Sequence, residues 1–162
     1  MRIFDSHCHL DDPCYDRDRQ EVLQRAREAG IAAMMIVGTD RSSSDKAVRL
    51  AARNKGCCAS VGVHPHDARD CTDSVIAGLR KLALADEVRA WGEIGLDFNR
   101  MYSPQADQER WFVRQLEVAR EMNLALIFHE RDSNGRFIEL LRTHADAGLR
   151  GVIHCFSGSV EE

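Results

Sequence analysis

Positive charge is not in excess in this sequence. Its 22 lysines and arginines face 26 acidic residues, for a net charge of −4 over 162 residues. No global basic field would draw it to duplex DNA, so any nucleic-acid contact must come from a local site. The opening residues carry neither the basic stretch nor the apolar stretch of a secretory signal, and no apolar run approaches the ~18 residues that span a membrane. A cytoplasmic location without a membrane partner is the expectation. No Cys-x-x-Cys pair occurs among Cys8, Cys14, Cys57, Cys58, Cys71 and Cys155, and free thiols are expected rather than disulfides. Cys57, Cys58 and Cys155 lie in apolar runs and read as small buried hydrophobes. Also missing after the first strand is a G-x-G-x-x-G or G-x-x-x-x-G-K-[ST] turn, which argues against a dinucleotide site or a P-loop. No linker, low-complexity stretch or second domain interrupts the chain.

What is present is a soluble, globular composition, with 44% apolar and 30% charged residues, and room for one domain. Short apolar runs alternate with helical patterns. The runs are Ile3-Phe4, "AAMMIVG" (32–38), "CCASVGVH" (57–64), "VRAWGEIGL" (88–96), "LALIFH" (124–129) and "GVIHCF" (151–156). Continuously apolar runs of this length suit parallel strands buried on both faces. Between them, helices are predicted over 16–30, closed by Gly30; over 40–55, followed by Gly56; and over 72–85. A fourth starts with Ser103 as N-cap and Pro104 at the first helical position, and carries the stripe Phe112, Leu116, Ala119 and Met122. The last spans 133–148. These stripes read as core faces and hold no organic-cofactor box. The order predicts an α/β fold with a parallel sheet, which a doubly wound sheet and a (β/α)₈ barrel both satisfy.

The strand ends favour the barrel. His7 and His9 in "FDSHCHL" sit at i and i+2, so on a strand they share one face while Cys8 takes the other. They are either a pincer for a metal ion or two surface histidines. His64 closes the third strand and His66 follows it; Glu93 closes the core of the fourth, His129 the fifth and His154 the sixth. In a barrel of parallel strands these ends converge on the C-terminal mouth, whereas an open sheet would spread them along an edge. Imidazoles converging with one carboxylate form a candidate metal centre. Glu93 is the only acidic residue among these strand ends and could bridge two cations able to activate water against a phosphodiester. His144, mid-helix in "LLRTHADAG", receives no role.

In order, "FDSHCHL", "VGVHPHD", "GEIGLDF", "FHERD" and "HCFSG" resemble the signature blocks of the TatD family of metal-dependent deoxyribonucleases. The resemblance covers essentially the whole chain, and implies a TIM-like barrel of the metal-dependent hydrolase type. By resemblance, His7 and His9 are ligands of one metal, Glu93 bridges, and His129 and His154 hold the second. His64 resembles the residue near the scissile phosphate. Arg131 is placed by position and charge to contact a phosphate. Asp97 either orients a ligand histidine or caps its loop. Arg100 and Tyr102 read as a solvated loop that could also lie along the path of a strand. The implied reaction is 3′→5′ hydrolysis of single-stranded DNA, with RNA as the alternative substrate, by two-metal activation of water. Imidazole-rich ligands favour Zn²⁺ or Mn²⁺, whereas the family is associated with Mg²⁺.

A TatD-like chain is expected to continue for roughly another hundred residues, with a further aspartate block that completes the site. That block is absent, and Ser159 and Glu162 form an S-x-x-E capping box that announces another helix. The expected architecture is therefore an incomplete barrel of about six βα units, with open edges on its first and last strands. Weak metal binding and little activity are expected of this chain alone. Two rivals remain: an amidohydrolase-type enzyme acting on an amide or ester, and a metal-binding fragment without chemistry.

Overall fold

A computed structural model describes residues 3–144 and 148–161 of the chain. Six strands and five α-helices alternate along them. The strands are β1 (Ile3–Cys8), β2 (Ile31–Val37), β3 (Cys57–Val61), β4 (Val88–Asp97), β5 (Ala125–Arg131) and β6 (Gly151–His154). The helices are α1 (Arg19–Glu28), α2 (Arg41–Arg53), α3 (Asp73–Leu82), α4 (Gln105–Glu121) and α5 (Arg136–His144). Every neighbouring pair of strands is parallel, in the order β1-β2-β3-β4-β5-β6.

The sheet is strongly curled. In a flat sheet five steps of ~4.8 Å would hold the outer strands about 24 Å apart. Instead His7, late in β1, stacks on His154, the last residue of β6, with ring centroids 3.8 Å apart and planes 8° from parallel. That proximity decides for the barrel-type wall over the open sheet. The wall is incomplete, as expected: β1 and β6 are its edges, and Ile3, Phe4, Val152 and Ile153 are exposed along them.

The helices cover the convex face. On β2, Met34 and Ile36 join the helix-side core, while Met35 and Val37 point to the concave side with Ala90 and Ile127. This is the two-residue alternation of a strand. Phe112 of α4 stacks on Phe137 of α5 at 5.2 Å over Phe128 of β5, and each such buried ring contributes roughly 1.5–3 kcal/mol by leaving water. Caps set the helix starts: Asp40 accepts from the Ser43 amide in a reciprocal capping box, and Thr72 accepts from the Val75 amide. A hollow of about 1000 Å³ opens at the N-terminal ends of the strands, lined by Phe4, Met35, Cys58, Ile127 and Val152 and by none of the histidines.

Several expected boundaries move. Helix α4 starts later than Ser103 would put it: Pro104 is its N-cap, and Ser103 is buried, with its hydroxyl donating to the His66 carbonyl and accepting from the Arg69 amide. Strand β3 stops at Val61, because His64 and Pro65 open a short 3₁₀ turn, Pro65–Asp70. Strand β5 runs two residues past His129 to Arg131, and β6 ends at His154, where Cys155 takes a left-handed φ of 56°. Residues 145–147 of the predicted last helix, and Glu162 of the predicted capping box, lie outside the described residues. All six cysteines are free thiols. Cys155 is exposed, against expectation, because β6 is an edge strand; Cys57 and Cys58 are only half-buried, because they line the hollow. No described helix is long and apolar enough to cross a membrane.

Candidate metal centre

Two bulges build the site. Between β4 and β5 the pairing steps from Trp91↔Leu126 to Ile94↔Phe128, three residues against two. The extra residue reverses the alternation of β4. Trp91 and Ile94 therefore both face the helices, while Glu93 and Asp97 turn to the concave side, where regular alternation from Ala90 would have turned them outward. Gly92 makes this possible at φ 147°, with no room for a side chain beside Ile127. A similar slip in β1, from Asp5↔Met34 to Cys8↔Ile36, leaves His7 and His9 on the concave side and Cys8 opposite, its thiol donating to the Met35 carbonyl. Burial pushes that thiol up to about 12, so it stays protonated.

At the C-terminal mouth the Glu93 carboxylate, 2% exposed, is ringed by imidazoles. Its Oε2 lies 3.3 Å from His7 Nε2, and its Oε1 lies 2.9 Å from His129 Nδ1 and 3.7 Å from His64 Nε2. The two oxygens thus serve two sides. His9 Nε2 is 3.2 Å from His7 Nε2, and His154 stacks on His7. Ligand atoms of His7, Glu93 and His154 lie within 4.8 Å of one another, as do those of His64, His66 and His129. His7, His9, His64, Glu93, Asp97, His129 and His154 are therefore all brought to one place. His144 is exposed on α5, away from it.

Hydrogen bonds fix which nitrogens carry protons. His9 Nδ1 faces the Val37 carbonyl at 3.2 Å and must donate, so in the neutral ring Nε2 aims a lone pair at His7. His64 Nδ1 accepts from the His66 amide at 3.1 Å, which leaves Nε2 as an N–H donor pointed at the centre. Burial, opposed only partly by Glu93, pulls His64 down to about 3, so this tautomer is neutral. His129 lies between two carboxylates, with Nε2 3.2 Å from Asp97 Oδ2. A neutral imidazole can donate to only one, so a proton or a cation must sit at the other nitrogen. His129 is accordingly raised: burial lowers it, but the bonds to Glu93 and Asp97 outweigh burial. Burial pushes Glu93 up, and its bonds to His129 and His7 more than reverse this. The need for a proton or cation between His129 and one of its carboxylates, together with the buried and unpartnered His7 Nδ1, fits divalent cations of the kind imidazole and carboxylate bind.

Asp97 both orients histidines and caps its loop. Its Oδ2 is 2.7 Å from His66 Nε2 as well as beside His129, while Oδ1 accepts from the Asn99 and Arg100 amides. Replacing it by asparagine is expected to weaken Mn²⁺ binding roughly 10–100-fold, the usual cost of losing an outer-shell carboxylate, read by calorimetric titration; unchanged affinity would contradict this. Arg131 lies at the end of β5 opposite Asp97, half-buried, and makes no ion pair among the described residues.

Sequence reasoning missed the supports. Gln115 of α4 accepts from the Val63 amide and the Trp91 indole and donates to the Val63 carbonyl, fixing the segment before His64. Two turns earlier on the same face of α4, Gln108 accepts from the Asp97 amide and donates to the Asp97 and Ser103 carbonyls. Two glutamines seven apart among Trp111 and Phe112 were the available signal. Buried Glu130 accepts from Ser133 after β5 and from Ser157 after β6, tying together the loops that follow His129 and His154. His66 gave no signal beyond the HPH block itself.

Residues 4–162 match the family described as TatD related DNase. The chain belongs to this family. It is 42% identical over 160 residues to a protein named 3′-5′ ssDNA/RNA exonuclease TatD from Cronobacter sakazakii, covering 99% of this chain and 61% of that protein. A protein of the same name from Yersinia pseudotuberculosis is 42% identical over 161 residues, covering 99% of this chain and 62% of the relative. Among solved structures, the TatD homolog YJJV from Escherichia coli superposes with a TM-score of 0.87 at 30% identity, over 99% of this chain and 62% of that one. A TatD family hydrolase from Entamoeba histolytica gives 0.89 at 26%, over 99% and 60%. The chain thus spans about 61% of the length of the curated relatives it matches.

Proposed function

We propose that this chain carries the metal- and phosphate-binding half of a nuclease that removes nucleotides 3′→5′ from single-stranded DNA or RNA. The observation that carries the reading is the Glu93 carboxylate, buried among imidazoles with one oxygen turned to His7 and the other to His129. In this reading His7, His9 and Glu93 hold one divalent cation, and Glu93, His129 and His154 a second, with Mg²⁺, Mn²⁺ or Zn²⁺ as the ion. When bound, such ions polarise a phosphodiester oxygen and acidify water. The chain's own residues do the rest. His64, neutral and carrying its proton on Nε2, donates a hydrogen bond to a non-bridging phosphate oxygen, where charge grows in the transition state. It has no lone pair there to act as a base. Arg131, free of an ion pair among the described residues, offers its planar donors to the same phosphate. Asp97 holds the His129 ring so that Nδ1 faces Glu93. The negative overall charge leaves stacking and local contacts to hold the strand.

The test is a 5′-labelled single-stranded oligonucleotide incubated with the purified chain and Mg²⁺, Mn²⁺ or Zn²⁺. A cation-dependent ladder shortening from the 3′ end is expected, slower than that of a full-length relative run beside it. No cleavage with any of the three ions would contradict the reading. It would leave the family membership standing and favour a metal-binding fragment without chemistry. The amidohydrolase-type rival requires turnover of small amides or esters instead.

A further inference from the structure

The loop after β4 carries an exposed ring beside the site. Tyr102 is 49% exposed, and its ring meets that of His66 edge to face, with centroids 4.8 Å apart and planes at 80°. His66 in turn lies 4.2 Å from His64 and 5.9 Å from His129, centroid to centroid. Tyr102 is thus two ring contacts from His64, the residue that meets the phosphate in the proposed reading. The loop is held firmly. Asp97 Oδ1 accepts from the Asn99 and Arg100 amides, and Asn99 Nδ2 donates to Asp132 at 2.6 Å. On the other side of Tyr102, the Ser103 hydroxyl and carbonyl are fixed to His66 and Gln108. An exposed aromatic on so pinned a loop offers its area without an ordering cost on binding.

The geometry points to Tyr102 as the stacking platform for the base of the nucleotide whose phosphate meets His64 and Arg131. This rests on the nuclease reading and gives its substrate selectivity. A ring face accepts any base, so the platform is indifferent to sequence. It requires a base to be present and unstacked from its neighbours, which a single strand supplies and a duplex does not. Arg100, on the same loop, would then follow the backbone.

The test is fluorescence anisotropy of labelled single strands with the 162-residue chain in Ca²⁺, each strand carrying one abasic nucleotide at a different position from the 3′ end. The wild-type chain is expected to bind the intact strand roughly tenfold more tightly than the strand abasic at one particular position. Tyr102→Phe keeps that ratio; Tyr102→Ala reduces it to about one, with thermal stability unchanged because the ring is exposed. A ratio retained in Tyr102→Ala, or no position-dependent ratio in a wild-type chain that binds, overturns the assignment. No binding of any strand by the wild type overturns the nuclease reading beneath it.

Discussion

Glu93→Gln is expected to abolish hydrolysis of single-stranded DNA and to remove divalent-cation binding, by more than the roughly 10–100-fold that loss of an outer-shell partner costs. The substitution keeps the volume of the side chain and changes its chemistry at the decisive atoms. One end becomes an N–H₂ donor, so either His7 Nε2 or His129 Nδ1, now 3.3 and 2.9 Å from carboxylate oxygens, faces a donor in its place. No arrangement of the amide supplies two anionic oxygens to two sides. The fold should lose some stability, because the bonds of the carboxylate to His129 and His7 outweigh its desolvation cost, and removing one partner of a buried pair leaves the other uncompensated. Thermal melting in a chelator is therefore expected to be lower in Glu93→Gln, and metal-induced stabilisation disappears. Retained hydrolysis would show that the carboxylate is not part of the chemistry.

Gly95→Ala is expected to have the largest effect on folding. Gly95 pairs with His129 at φ 148°, and a Cβ there would collide with the His129 carbonyl oxygen. Backbone, not a flexible side chain, would have to move, and the new residue would occupy a region that side chains rarely adopt. The loss is ~3 kcal/mol or more, or roughly 10 °C in melting temperature for a domain of this size. What remains folded should bind metal poorly, because the strand that moves carries His129. A melting temperature within about two degrees of wild type would show that the two strands can separate without penalty.

The fold was legible in the sequence because its signals are local. Short apolar runs, glycine-closed helices and the placement of His7, His129 and His154 at or near strand ends needed no tertiary information, whereas Glu93, expected to close the core of the fourth strand, lies inside β4, four residues before its end. The barrel followed from chemistry converging at those ends, and the contact between His7 and His154 bears it out. What stayed hidden was what regular alternation forbids or tertiary contact creates. Alternation along β4 puts Glu93 on the helix side; only the extra residue beside Gly92 turns it inward, and the glycines of "GEIG" were the one local hint. Gln108 and Gln115 looked like ordinary helix polar residues, since their partners lie on other elements. Ser103 had the right type for an N-cap but bonds instead to His66 and Arg69, a choice made across the loop. Cys155 looked buried by its neighbours in sequence, and exposure followed from the edge position of β6.

In the proposed reading, Glu93 and the histidines of β1, β5 and β6 would together hold two divalent cations. Titrating the chelator-treated chain with Mn²⁺ and following its electron paramagnetic resonance spectrum tests this most directly. The expected result is uptake of two ions close enough for their spins to couple, with the coupling lost in Glu93→Gln. A single uncoupled Mn²⁺, or the same coupled pair in Glu93→Gln, would contradict it.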